Sequence, residues 1–194
     1  MLYVKQKHAF WGDIQDDKSL RSALKTLGID ARRMSRFSQL ALLGALPLRE
    51  QITPDTPIFL GSPFASPSKF NNMFTQLTEQ DLPSPLDFMA NLNNAATFLL
   101  AQQFQTTAPS IFVAVDSHSF WQPLQLARLA LKQHSQALVG WAFEHSAERQ
   151  SEGSVWWLVS HNGDIPLSIT ELNQKIGNID RTFPQILENL VKIV

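Results

Sequence analysis

The segment 84–131 constrains the fold more than any other part of this chain. Ser84 followed by proline is typical of a helix start, because serine caps free N–H groups and proline fits the first turn. The predicted helix runs to about Phe104 and is apolar around most of its circumference, so several of its sides should be buried, by the chain or by a partner. The run 110–115, SIFVAV, predicts a central strand buried on both faces. A second helix should follow, capped by Ser119.

Buried strand runs and helical periodicity alternate along the rest of the sequence. Strands are predicted at 56–61, 137–143 and 154–160, and helices at 30–46, 66–77 and 182–194. The residues 144–153 are predicted to form a polar, mobile loop, and the rings of Trp156 and Trp157 should lie on opposite faces of their strand. The alternation predicts one α/β domain over 1–194, with helices layered on a mixed sheet.

The composition excludes several classes of protein. Sixteen basic and seventeen acidic residues give a net charge of −1, which offers no electrostatic reason to expect nucleic acid or an anionic membrane as a ligand. No apolar stretch approaches the ~20 residues that span a bilayer, so membrane insertion is not expected. The start has no apolar segment typical of a signal peptide, so a cytoplasmic protein is expected. The chain has no cysteine, and its histidines show no metal-ligand spacing, so no metal site is expected.

Four segments follow one another along the chain: RRMSRFSQLALLGAL, TPIFLGSPF, SPLDFMANLNNAATFLLAQQF and APSIFVAVDSHSFWQPLQLARLAL. In this order they resemble the N-terminal half of the β-ketoacyl synthases. The resemblance covers about 30–143 and depends on the order and spacing of the segments more than on any one motif. It implies a truncated thiolase-like fold, comprising the N-terminal half only, in which 110–115 is the strand that leads to the nucleophile.

Two departures from the synthase pattern imply a change of function. The nucleophile position falls at Asp116, or at Ser117 if the turn is one residue different, and neither is a thiol. About fifty residues follow Phe143, too few for the second half that supplies the catalytic histidines of a full synthase. The chain is in this respect similar to the chain-length-factor subunits of aryl polyene and related type II polyketide pathways. That similarity implies a non-catalytic protein without a cofactor, paired with an active β-ketoacyl synthase and able to meet an acyl carrier protein.

The resemblance also implies which residues meet the partner. In this family the two subunits contact each other through the nucleophile strand and the long helix beside it. The implied interface residues here are Asn94, Phe98, Ile111, Phe112, Val113 and Val115. The residues whose bulk would gate the partner's acyl tunnel are Phe70, Phe74, Phe88 and Phe98. From helical spacing alone, Phe70 and Phe74 are interpreted first as core residues and second as a gate.

Two other functions stay open at this stage. Ser117, between Asp116 and His118, could be the nucleophile of a stand-alone acyl hydrolase, although the G-x-S-x-G pattern is absent. In the competing interpretation Ser117 or Ser119 caps a helix and Asp116 ends a strand. The chain could also be a homodimeric scaffold that binds acyl carriers. Three arginines, Arg32, Arg33 and Arg36, could attract a phosphopantetheine phosphate or an acidic carrier, or they could form a solvated helix face.

Overall fold

The computed structural model describes residues 1–82, 84–145, 151–163, 165–177 and 181–193. Within these residues six strands form one sheet in the order β3-β2-β4-β5-β1-β6. Strands β3, β2 and β4 run parallel, whereas β5, β1 and β6 pair antiparallel with their neighbours. The predicted mixed sheet is therefore confirmed. The strands are β1 Leu2–Asp13, β2 Ile58–Ser62, β3 Ser110–Ala114, β4 Gln136–Phe143, β5 Ser151–Ser160 and β6 Ile165–Leu167.

Helices cover both faces of this sheet. One face packs against α1, α2 and α5, and the other against α6, α7 and α8. Because both faces are covered, all eight residues of β4 are buried. The helices are α1 Asp17–Thr26, α2 Arg36–Ala45, a 3₁₀ helix Leu46–Gln51, α3 Pro67–Glu79, α4 Pro85–Ala90, α5 Ala95–Phe104, α6 Gln122–Ala130, α7 Ile169–Ile176 and α8 Phe183–Ile193.

The two adjacent tryptophans of β5 lie on opposite faces, as the alternation of a strand predicts. Trp156 packs in the core on the α2–α5 side, and Trp157 packs on the α6–α8 side. Trp157 meets Trp141 edge to face, with ring centroids 5.1 Å apart, and both rings are fully buried. Each large ring thus fills one layer between sheet and helices.

The long helix predicted over 84–104 is interrupted. Ser84 does cap its start, because the Ser84 hydroxyl accepts the Asp87 N–H at 3.2 Å. The helical run then stops at 91–94, where three of four residues are asparagine, and resumes as α5. Asparagine side chains compete for backbone hydrogen bonds and so disfavour helix interiors. The interruption leaves α4 as a short helix, with no buried side chain.

Strand β3 is an edge strand, so its predicted central position is wrong for this chain. Its one neighbour in the described residues is β2, and Ile111 is 40% exposed. An apolar run predicts a strand that is covered on both faces, but it does not show whether the covering elements belong to the same chain or to a partner. In the part of the chain that the structure describes, no strand pairs with the opposite edge of β3.

The polar loop predicted over 144–153 is also wrong at both of its ends. Glu144 is fully buried at the end of β4, and Ser151 to Gly153 belong to β5. The residues 146–150 lie outside the described part of the chain. The carboxylate of Glu144 is buried because backbone N–H groups surround it, which a polarity pattern does not reveal.

Candidate functional site

Three parallel strands end at one edge of the sheet, and the polar residues that follow them form the candidate site. The Asp116 turn follows β3, a short loop from Pro63 to Ser66 follows β2, and Glu144 follows β4. In sheets with parallel strands this carboxyl edge is where ligand sites lie. The surface of β3 and of helices α3 to α5 adjoins it.

Asp116 is held by its own turn. Its Oδ1 accepts the N–H groups of His118 and Ser119 at 2.9 Å each, and the Ser119 hydroxyl at 2.6 Å. The Asp116 N–H in turn donates to Ser119 Oγ at 2.9 Å. The hydrogen bond from Ser119 lowers the pKa of the Asp116 carboxyl below its usual range. Asp116 is thus an ionised cap of a turn, and Ser119 completes that turn instead of capping α6 directly.

Ser117 lacks the partners of a hydrolytic nucleophile. No hydrogen bond joins its hydroxyl to a histidine in the described ranges. His8 bonds Gly44 O, and His134 bonds Asp55 instead. A serine nucleophile needs a base within hydrogen-bond reach, and this geometry does not supply one. The hydrolase alternative therefore gains no support, and the assignment of the vestigial nucleophile position to Asp116 or Ser117 stays a prediction.

The predicted interface strand is partly open to solvent. Ile111 is exposed, Phe112 and Val113 are half-buried, and Val115 lies in the core at 3% exposure. The Val115 side chain therefore does not belong to the open surface. An open groove of about 680 Å³ runs beside β3 and is lined by residues 91–94 and by Ser110, Ile111, Phe112 and Ala114.

Large apolar side chains are exposed on helices α3, α4 and α5. The four predicted gate residues Phe70, Phe74, Phe88 and Phe98 are exposed by 49, 56, 57 and 66%. Phe70 stacks on Phe74 with centroids 6.1 Å apart, and no residue of α3 is buried. The core interpretation of Phe70 and Phe74 is therefore wrong. Further exposed apolar residues on these helices, on the segments that join them and on β3 are Leu77, Leu82, Leu86, Met89, Leu92 and Ile111. Exposed apolar patches are typical of interaction sites, so these residues are candidates for a partner-binding surface.

A second cavity, of about 650 Å³, opens between the start of α2 and helices α4 and α5. Phe98, Leu86 and Met89 are apolar residues that line it, and Lys69 and Arg33 contribute positive charge. Lys69 is paired with Asp87 at 2.7 Å, which lowers the pKa of the Asp87 carboxyl. The cavity is apolar inside with charged groups among its lining residues, within the size range of small-ligand pockets.

The three arginines do not act as one anion site. The Arg36 guanidinium is largely buried, donates to both carboxylate oxygens of Glu152, and pairs with Asp17 at 2.5 Å. Arg32 pairs with Asp30 at 2.6 Å, and this interaction lowers the pKa of Asp30 to about 2. The Arg36 guanidinium is therefore engaged in ion pairs within the fold and is not available to bind a phosphate.

Sequence reasoning missed Glu144, which is the best-buried carboxylate at this edge. Its oxygens accept hydrogen bonds from the N–H groups of Phe37 and Ser68 and from the Ser66 hydroxyl. Burial raises the pKa of the Glu144 carboxyl, and these hydrogen bonds oppose that rise. The available signal was its place directly after the buried apolar run of β4.

No protein-family model matches the sequence, and no curated protein matches it. Solved structures do match. A chain of the complex of the ketosynthase ApeO with its chain length factor ApeC from Xenorhabdus doucetiae superposes with a TM-score of 0.67 at 18% identity, over 86% of this chain and 81% of that chain. This chain has the ketosynthase fold. The thiolase-like α/β fold expected from the sequence is thereby confirmed.

Two further ketosynthase-fold structures agree. A chain of the ishigamide ketosynthase/chain length factor gives a TM-score of 0.65 at 16% identity, over 85% of this chain and 64% of that chain. The second structure is AntDE:AntF, a type II PKS acyl-carrier protein in complex with its ketosynthase bound to the hexaketide. One of its chains gives a TM-score of 0.63 at 14% identity, over 82% of this chain and 62% of that chain. The present chain therefore spans about four-fifths of the first matched chain but less than two-thirds of these two.

The described ranges of this ketosynthase-fold protein contain no helix whose length and apolar character suffice to cross a membrane. Among the same residues, no group of three or more histidine and acidic side chains is arranged to hold a metal ion.

Proposed function

We propose that this protein is a non-catalytic, chain-length-factor-type subunit that binds an active β-ketoacyl synthase and shapes its acyl tunnel. The observation that supports it is a ketosynthase fold that has no cysteine and leaves an edge strand and an apolar surface uncovered. An open strand edge and exposed aromatic rings are unfavourable in water unless a partner covers them. Similar solved chains come from complexes of ketosynthases with chain length factors.

The proposed interface comprises β3, the residues 91–94 and the exposed face of α5. Asn94, Phe98 and Ile111 contribute exposed side chains, and Phe112 and Val113 are half-buried there. The partner's own strand would satisfy the free edge of β3. In the complex, Phe70, Phe74, Phe88 and Phe98 would lie beside the partner's tunnel and limit the growing chain. The heterodimer is proposed to act in the cytoplasm, in polyene, polyketide or fatty-acid-type synthesis, and to meet an acyl carrier protein there.

Purification with and without a candidate ketosynthase from the same organism tests the association. A defined 1:1 complex formed with the synthase, against self-association of the chain alone, would support the proposal. A stable homodimer that binds none of the candidate ketosynthases would favour the carrier-binding scaffold. Esterase activity abolished by Ser117→Ala would favour the hydrolase.

Product analysis of the complex tests the tunnel function. Phe88→Ala should lengthen or broaden the acyl products, because it removes bulk from the proposed tunnel wall. Leu129→Ala is the matched control, since Leu129 is 54% exposed on α6, on the opposite side of the sheet. An unchanged product distribution for Phe88→Ala and for each of the other three phenylalanines would reject gating.

A further inference from the structure

The buried carboxylate of Glu144 joins the N-termini of two helices. Its Oε2 accepts the Phe37 N–H of α2 at 2.9 Å and the Ser66 hydroxyl at 3.2 Å. Its Oε1 accepts the Ser68 N–H of α3 at 3.1 Å. The side chain is fully buried, so water does not compete for these bonds.

The carboxylate adds a second cap to α2 and supplies the side-chain cap that α3 otherwise lacks. In α2 the Ser35 hydroxyl accepts only the Ser38 N–H, which leaves the Phe37 N–H for Glu144. In α3 the Ser66 side chain makes no cap, and Pro67 has no N–H, so Ser68 offers the first free donor. Free N–H groups and the helix dipole both favour a negative group at this point.

This connection matters because α3 has little other anchorage. None of the thirteen residues of α3 is buried, and it packs against α4, to which the Lys69–Asp87 ion pair joins it. Together α3 and α4, here called the arm, carry the exposed Phe70, Phe74 and Phe88. Glu144 thus links the end of the central strand β4 to the start of the arm.

We propose that Glu144 is a positioning residue that sets the direction in which the arm leaves the sheet. By capping α2 and α3 with one carboxylate it fixes the first turn of the arm against the core. The arm then presents its aromatic rings to the partner in one orientation, so partner affinity depends on Glu144. This inference rests on the proposed function for its partner, but the capping itself is a property of the isolated chain.

Glu144→Gln in the full chain tests the proposal, since it keeps the volume but replaces one acceptor oxygen by a donor. Hydrogen exchange of the α3 amides should accelerate roughly ten- to a hundred-fold, the effect of losing a hydrogen bond to a charged group. Synthase affinity should fall by at least about tenfold, while amides of β4 keep their protection. Glu152→Gln is the matched control, because Glu152 is also buried but accepts hydrogen bonds from Arg36 and the His145 N–H and none from α3. Ser66→Ala should change α3 in the same direction by less.

Unchanged α3 exchange in Glu144→Gln, or an equal rise in Glu152→Gln, would overturn the proposal. Faster α3 exchange with wild-type synthase affinity would overturn the link to the partner and leave the proposed function standing. If the wild-type chain binds no synthase, the proposed function fails and the exchange data still decide the capping. If Glu144→Gln does not fold, α3 hydrogen exchange and synthase affinity are measured on Ser66→Ala instead. That change leaves the bond from the Phe37 N–H to Glu144 in place, so unchanged α3 exchange would overturn the proposal there as well.

Discussion

Replacing Phe98 by alanine should weaken synthase binding while leaving the stability of the isolated chain almost unchanged. The Phe98 side chain is 66% exposed on α5, within the proposed interface. Full burial of a phenylalanine side chain contributes about 1.5–3 kcal/mol, so covering the exposed two-thirds should contribute roughly 1–2 kcal/mol to binding. Phe98→Ala should therefore weaken synthase binding about five- to thirty-fold. The free energy of unfolding of the isolated chain should change by no more than about 0.5 kcal/mol.

Titration calorimetry with the synthase and denaturant unfolding of the chain measure the two quantities. Phe104→Ala is the matched control, because Phe104 is on the same helix but only 6% exposed in the core. That change should cost about 3–5 kcal/mol of stability, the usual effect of truncating a buried phenylalanine. Synthase affinity within twofold of wild type for Phe98→Ala would refute the reasoning, as would a large loss of stability in the isolated chain.

Two further predictions concern the fold itself. Gly140→Ala should lower the free energy of unfolding by about 1–3 kcal/mol, because the added Cβ would overlap the ring of Trp156. Gly12→Ala is the control and should change the free energy of unfolding little, because the space around Gly12 is open. Equal effects of the two changes in calorimetry would contradict this packing. Lys69 holds the pKa of Asp87 below its ordinary value of 3.8, so the pair stabilises the folded state above that pH and stops doing so as pH falls through the lowered pKa. The stability difference between wild type and Asp87→Asn should accordingly shrink below pH 3.8, and a difference that stays constant down to pH 2 would exclude this role.

Periodicity was sufficient to predict the layers of this protein. Alternation assigned Trp156 and Trp157 to opposite faces, and continuous apolar runs located β2, β4 and β5. These features depend on which side chains leave water, and a sequence records that directly. The Ser84 cap of α4 was equally local, since its hydroxyl accepts the N–H of Asp87 three residues later.

The remaining features depend on contacts that no local pattern records. The apolar run of β3 is the same whether the strand is central or is an edge that a partner covers, so its exposure could not be predicted. Glu144 was interpreted as a loop residue because its hydrogen-bond partners Phe37 and Ser68 lie 107 and 76 residues away in the sequence. Three asparagines at 91–94 disfavour a helix interior, but the apolar periodicity on both sides of them favours one continuous helix.

Site-specific photo-crosslinking of the complex tests most directly whether β3 is where a ketosynthase binds. A photoreactive residue replaces Ile111 on the open edge of β3 or, in a separate protein, Leu129 on α6, both being exposed in the isolated chain. We predict efficient crosslinking to the ketosynthase from position 111 and none from position 129. Crosslinking from position 129 alone, or none from either position in a mixture that contains an active ketosynthase, would contradict the account.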